Sequence, residues 1–325
     1  MTATMGAHAD VVRVDFGGCL VRLEDGTITR ARARGRLMGH RKALGNTVVV
    51  GDRARVEPGE RAGADQKDVL IAEVAPRRNA FHRRAAGRAS AGQVVASNLD
   101  QVVHVAACAD PPFSPGLADR VLCQAEHDGI PARVVLNKVD LRLAERESAS
   151  ILADYARAGY AGHAVSGKTG QGVAELLAAC RGRRSLFVGH SGVGKSTLLN
   201  AMVPGLDLQE GLVNPKTGKG RHTTTAAWLL KPESDIELVD TPGVRVFGLW
   251  GIGPADLDHA YPEFRPALGR CRFADCAHAS EPGCAVREAV ARGSIAERRY
   301  ASFLKLRAEL AAEAARETRS DGPGA

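Results

Sequence analysis

The apolar positions of this chain follow two different patterns. Over residues 1–84 they come as short β-branched runs: Val11-Val12-Arg13-Val14, Cys19-Leu20-Val21-Arg22, Thr47-Val48-Val49-Val50 and residues 69–74. Turn signals separate them, among them Glu24-Asp25-Gly26, Val50-Gly51-Asp52 and Pro58-Gly59. Short strands at this density predict a small β-barrel or sandwich. Residues 85–98, rich in Ala, Gly and Ser, read as a linker.

From residue 99 the pattern changes. Residues 102–107 are a continuous apolar run, fit for a strand buried on both faces, and 134–136, 186–188 and 236–239 repeat it. Helical stretches at 117–127, 147–158 and 173–180 lie between them. Strands alternating with crossover helices predict an α/β domain with a parallel sheet over 99–253. Past Pro254 the strands stop. A cysteine-bearing loop, a long helix at 295–315 and a Gly/Pro tail compose a last module, 254–325.

Composition narrows the class. With 44% hydrophobic and 25% charged residues among 325, the chain can bury a real core. No apolar run reaches the ~20 residues of a membrane-spanning helix, and residues 1–10 lack the basic start and apolar stretch of a secretory signal. A cytoplasmic protein without a membrane partner is expected, and a monomer. The net charge of +7 is carried by residues 1–98, which hold 17 basic against 10 acidic side chains. A basic module on a neutral body points to a polyanion such as nucleic acid; the alternative is a merely solubilising surface.

Gly189-His190-Ser191-Gly192-Val193-Gly194-Lys195-Ser196 fits the phosphate-loop spacing, preceded by an apolar strand and followed by Thr197 and an apolar helix start. In such a loop, glycines let backbone N–H groups surround the β-phosphate, the Lys places a charge on the β- and γ-phosphates, and the hydroxyl ligates Mg²⁺. Asn137-Lys138-Val139-Asp140 directly follows another predicted strand. A carboxylate there accepts from guanine N1–H and the 2-amino group, which adenine lacks; Asn137 is expected to fix the base edge and the Lys138 stem to pack beside the ring. ATP would leave Asp140 buried and unpaired, a cost of roughly 1–3 kcal/mol or more. Ser166-Gly167-Lys168 can present N–H groups to guanine O6. Asp240-Thr241-Pro242-Gly243 offers Asp240 to Mg²⁺ through water and the Gly243 N–H to the γ-phosphate. Each is an ordinary turn in isolation; four at strand ends select GTP.

The order is permuted. The guanine-specifying segments precede the phosphate loop, and the γ-phosphate sensor comes last, leading directly into the C-terminal module. Between loop and sensor, 218–225 ends in His222-Thr223-Thr224-Thr225, a switch-like stretch in which Thr224, or else Thr225, is the expected Mg²⁺ ligand. The threonines alternatively begin the following strand, 225–230. Val244 stands where many GTPases carry a water-orienting glutamine, so His222 becomes the candidate catalytic residue, or a residue that only shapes the switch.

Cys271, Cys276, His278 and Cys284 supply three thiolates and one imidazole, a set suited to tetrahedral, structural Zn²⁺. Arg30, Arg32, Arg34 and Arg36 alternate with small residues; on a strand they share one face and form a self-repelling ladder that RNA phosphate would relieve. A loop or a solvated face are the other readings. With only 4% aromatics, base stacking is not expected to dominate.

These motifs, in this order, resemble the RsgA (YjeQ/YloQ) GTPases, and Glu281-Pro282-Gly283-Cys284-Ala285-Val286 and Arg299-Tyr300 extend the likeness over nearly the whole chain. The resemblance implies an N-terminal OB barrel, a circularly permuted GTPase domain and a C-terminal zinc domain. It also implies a part in late maturation of the 30S ribosomal subunit, with contacts to its 16S rRNA, GTP exchanged for GDP by hydrolysis, weak intrinsic turnover stimulated by the subunit, and a catalytic histidine at His222. A nucleotide-gated RNA-binding scaffold, or a permuted GTPase of the large subunit, are the competing classes.

Overall fold

The computed structural model describes residues 7–15, 18–34, 37, 47–59, 68–85, 92–141, 144–203, 227–241 and 247–320. Five strands open the chain: β1 (Ala7–Asp15), β2 (Gly18–Leu23), β3 (Ile28–Ala33), β4 (Arg53–Pro58) and β5 (Val69–Val74). They pair in the order β1-β2-β3-β5-β4, and β4 returns to β1, so the sheet closes into a barrel. Inward positions at period two, Val11, Val21, Ala31, Ala54, Val56 and Ile71, fill its interior. The run at 47–50, expected as a strand, is instead a buried turn. Its Val49 N–H is satisfied by the Asp52 carboxylate (2.8 Å) and not by a neighbouring strand.

The segment expected as a linker over 85–98 is structured in its second half. β6 (Ala80–Arg84) and β7 (Gly92–Ser97) form an antiparallel pair. Small residues concealed an alternation in which Val94 and Ala96 face inward, as does Phe81 opposite, whose ring packs on Phe247 (5.7 Å).

The body is a parallel sheet of β8 (Gln101–Ala107), β9 (Ala132–Asn137), β10 (Ala161–Ala164), β11 (Arg183–Gly189) and β13 (Ile236–Asp240), ordered β10-β9-β8-β11-β13. β12 (Trp228–Glu233) runs antiparallel beside β13 and also meets barrel strand β1, Trp228 opposite Arg13. Barrel and body therefore share a sheet, and they share a core: Val12 and Val50 pack with Leu99, Val102, Leu186 and Val188. Helices α1 (Pro115–His127), α2 (Ala144–Arg157), α3 (Val173–Cys180) and α4 (Lys195–Met202) cover the sheet.

The last module carries α5 (Ala285–Ala291) and α6 (Glu297–Ser320). On α6, Arg299, Phe303, Leu306 and Leu310 repeat at helical spacing and are buried, the three apolar ones in a core with Tyr261 and Phe264. Arg299 lies inside it as a charge. It donates to Asp119 of α1 (2.5 Å) and to both carboxylate oxygens of Glu263 (2.7 and 3.0 Å), while the Tyr261 ring lies 4.4 Å from its guanidinium carbon.

Candidate nucleotide and metal sites

Parallel pairing of β8, β9, β10, β11 and β13 brings their C-terminal ends to one edge of the sheet, and each predicted nucleotide segment begins there. Gly189 ends β11 so close to β8 that a Cβ would stand 2.3 Å from the Val105 carbonyl oxygen. Gly194 adopts φ +81° at the N-terminus of α4, a left-handed conformation that glycine takes without steric cost. The loop between them, His190 to Val193, thus turns onto the first turn of a helix that carries Lys195, Ser196 and Thr197.

Asn137 joins the segments. Its Nδ2 donates to the Val193 and Gly194 carbonyls (2.9 and 3.2 Å), and its Oδ1 accepts from Gly167 N–H (3.0 Å). The amide expected to fix the base edge makes its hydrogen bonds to the phosphate loop and the Ser166-Gly167-Lys168 turn. Lys138 takes φ +65° and donates its ammonium to the Asp110 carbonyl, while Val139 N–H reaches the Val165 carbonyl (3.2 Å). Asp140 is exposed rather than buried, with one oxygen held by the Ser166 hydroxyl (2.7 Å). Gly167 and Lys168 complete that rim.

On the phosphate side, buried Lys195 pairs with buried Asp240, and the neighbouring Thr241 hydroxyl is anchored on the Phe187 carbonyl (2.7 Å). Thr241 was not singled out from sequence; its place beside the loop depends on β11–β13 pairing. The hard oxygens of Ser196 and Asp240 beside this lysine suit Mg²⁺. His222, Thr224 and Gly243 lie outside the described residues.

In the last module the ligand atoms of Cys271, Cys276, His278 and Cys284 all lie within 4.8 Å of one another. Cys271 Sγ stands 3.9 Å from Cys284 Sγ, and His278 Nδ1 is 3.5 and 3.4 Å from those sulfurs. The far ring nitrogen, Nε2, meets Asp258 (3.3 Å), and Tyr300 donates to the His278 carbonyl (2.7 Å), which fixes the ring's orientation. Burial and the neighbouring sulfurs push the Cys276 thiol up, so these groups favour a cation between them. The cluster can hold one metal ion.

On the barrel, Arg30 and Arg32 extend from the exposed face of β3 and Arg34 follows its end; Arg36 lies outside the described residues. The expected self-repelling ladder is compensated within the protein. Asp68 approaches Arg32 (3.5 Å) and Glu57 holds Arg34 (2.6 Å), which leaves Arg30 without an ion pair among the described residues.

A family model described as RsgA GTPase matches residues 74–250, more than half of the chain. The chain belongs to the RsgA GTPase family. It is 42% identical over 309 residues to the small ribosomal subunit biogenesis GTPase RsgA of Gemmatimonas aurantiaca, covering 95% of this chain and 98% of that one. The RsgA of Porphyromonas gingivalis is 39% identical over 88% of this chain and 92% of its own. Among solved structures, YjeQ from Thermotoga maritima superposes with a TM-score of 0.72 at 33% identity, over 94% of this chain and 98% of that chain. YloQ, a circularly permuted GTPase, shares the fold with a TM-score of 0.67 over 95% and 96% of the two chains at 23% identity. The RsgA fold thus unites the barrel, the permuted GTPase sheet and the cysteine-rich module.

Proposed function

We propose that this chain hydrolyses GTP as a checkpoint in late maturation of the 30S ribosomal subunit, binding the subunit in the GTP state and leaving it after hydrolysis. The observation that carries the reading is the Asn137 side chain, which ties the base-specifying turns to the phosphate loop so that one guanine nucleotide spans both. The relatives named above as small ribosomal subunit biogenesis GTPases, similar over nearly their full length, support the choice of particle.

Asp140 reads guanine, and Lys138 and the Ser166-Gly167-Lys168 turn flank the base. The backbone of 189–194 and Lys195 take the phosphates; Ser196, Asp240 and Thr224 would hold Mg²⁺, which would neutralise phosphate charge. His222 orients the attacking water and Gly243 senses the γ-phosphate. Beyond the sensor strand β13, which ends at Asp240, Phe247 lies in the body's core and Leu249 and Ile252 in the core of the last module. Gln124 of α1 grips Trp250 in between, accepting its N–H (2.8 Å) and donating to its carbonyl (3.2 Å). Loss of the γ-phosphate at the sensor therefore acts on the C-terminal module, which follows it directly in sequence.

Residues 1–84 serve as the rRNA-binding barrel, with Arg30, Arg32, Arg34 and Arg36 toward 16S rRNA; 99–253 form the GTPase domain and 254–325 the zinc domain. Zinc suits the cysteine cluster, because tetrahedral coordination at its usual bond lengths places sulfurs about 3.8 Å apart and sulfur about 3.5 Å from nitrogen. The protein works as a cytoplasmic monomer. Single-turnover GTP hydrolysis with and without purified 30S subunits tests the proposal. Acceleration by orders of magnitude is expected; an unchanged rate with tight, nucleotide-gated binding identifies a scaffold, and stimulation by the large subunit alone identifies the wrong particle.

A further inference from the structure

Phe273 is the one aromatic among the exposed large apolar side chains of the described residues, at 41% exposure. It sits in the four-residue bridge Arg272-Phe273-Ala274-Asp275, all exposed, between the metal-site cysteines Cys271 and Cys276. A coordinated cation would pin both ends of this bridge, so the ring is held out on a short tether and is not free to fold back. The module's own core, built on Tyr261, Phe264 and Phe303, does not use it.

Its surroundings are cationic and unspent. The Arg272 guanidinium lies over the ring, 5.5 Å from its centroid. Arg270, on the other side of Cys271, reaches only the Pro266 carbonyl (3.4 Å). Among the described residues neither Arg270 nor Arg272 pairs with a carboxylate, in contrast to Arg265, Arg292 and Arg299 of the same module. Of the carboxylates in the loop, Asp275 is exposed at the far end of the bridge and pairs with neither arginine among the described residues, while Glu281 is occupied by the N–H groups of Ala277, Ala279 and Ser280. Its carboxyl is drawn down to about 2 by backbone N–H donors, its own foremost.

We infer that Phe273 is a stacking platform for an unpaired RNA base, with Arg270 and Arg272 placed for the adjoining phosphates. A ring that is 41% exposed and lies under a guanidinium matches the way single-stranded RNA is held, by base–aromatic stacking beside cationic groups. A duplex offers no free base face to it. The inference rests on the reading of this chain as a ribosomal RNA binder and adds a second contact, on the metal module, of a chemistry different from that of the barrel's arginines.

The test uses the full chain and a labelled ten-nucleotide single-stranded RNA, with a duplex of the same length beside it, followed by fluorescence anisotropy. Phe273→Ala is expected to weaken single-strand binding about tenfold, Phe273→Leu similarly, and Phe273→Tyr by less than about twofold, with duplex binding unmoved. Metal content and melting temperature are measured on each variant. Phe273→Leu keeps the bulk without the π-face, so it separates stacking from packing if Phe273→Ala loses metal. Equal single-strand affinity for Phe273→Leu and the wild type overturns the inference, as does the absence of single-strand binding by the wild type. A loss confined to intact subunits would place a protein on the ring and overturn it too. Sedimentation of the wild-type chain with small subunits tests the parent reading independently: its failure there leaves the oligonucleotide result standing, and its success there does not rescue a failed platform.

Discussion

Arg299 of the C-terminal helix and Asp119 of the GTPase body form a fully buried ion pair at 2.5 Å. The pair spans two modules, and Tyr155 of α2 adds its hydroxyl to the same Asp119 oxygen (2.9 Å). Removing one partner of a buried pair leaves the other charge desolvated, at a cost of about 3–5 kcal/mol. Arg299→Leu strands two carboxylates, Asp119 and Glu263, and is expected to lose at least that much in denaturant unfolding, while Arg299→Lys loses less. A loss below about 1 kcal/mol for Arg299→Leu would show that the pair does not hold the modules together.

His104 lies at the centre of β8, opposite Val188, with neither ring nitrogen hydrogen-bonded among the described residues. Burial lowers its pKa from 6.5 to about 4. The unfolded chain therefore binds this proton more readily than the folded one, and stability falls as pH drops from about 6.5 toward 4. By pH 5 the contribution amounts to roughly 2 kcal/mol. His104→Leu is expected to flatten the urea-midpoint profile between pH 7 and 5 relative to the wild type; parallel profiles would refute the assignment.

The contrast between these two residues and the phosphate loop shows what a sequence displays. Gly189 and Gly194 answer backbone demands that recur at fixed spacing, so their roles were legible before any fold was known. The buried strands were legible for a similar reason, since in 102–107 only His104 interrupts the apolar residues. Arg299 was not, because its meaning depends on Asp119 and Glu263, partners 180 and 36 residues away. For Asn137 the links to Val193, Gly194 and Gly167 were not legible: spacing singles out a side chain without revealing which neighbours take its donors. β7 went unread because Gly, Ala and Ser mask an alternation that only Val94 and Ala96 disclose.

The cysteine cluster predicts a metal dependence of folding. Ligand atoms at 3.4–3.9 Å from one another repel or stay protonated without a cation, so its binding free energy is also folding free energy for the loop and α5. One equivalent of zinc is expected by elemental analysis of the purified protein. Its removal by a strong chelator is expected to lower the melting temperature and to abolish the near-ultraviolet dichroism of Tyr261, Phe264 and Phe303, and Cys284→Ser to do the same. Unchanged melting after verified metal loss would argue that the aromatic core alone sustains the module.

Base selection and loop assembly are carried by different atoms of one tetrapeptide, so they separate by mutation. Asp140 has one oxygen on Ser166 and the other free to accept from a base edge. In Asp140→Asn one acceptor becomes a donor, facing the donors of guanine, while the acceptor O2 of xanthine now fits. GTP affinity is expected to drop by about a hundredfold or more and xanthosine triphosphate affinity to rise, since a polar mismatch leaves buried groups unpaired. Asn137→Ala instead removes the link between Gly167 and the Val193–Gly194 carbonyls. It is expected to weaken GTP and xanthosine triphosphate alike, without a change of preference, because it loosens the phosphate loop and both turns together. Calorimetric titration of both nucleotides into both variants decides it: a preference switched by Asn137→Ala, or unaltered by Asp140→Asn, would reverse the assigned roles.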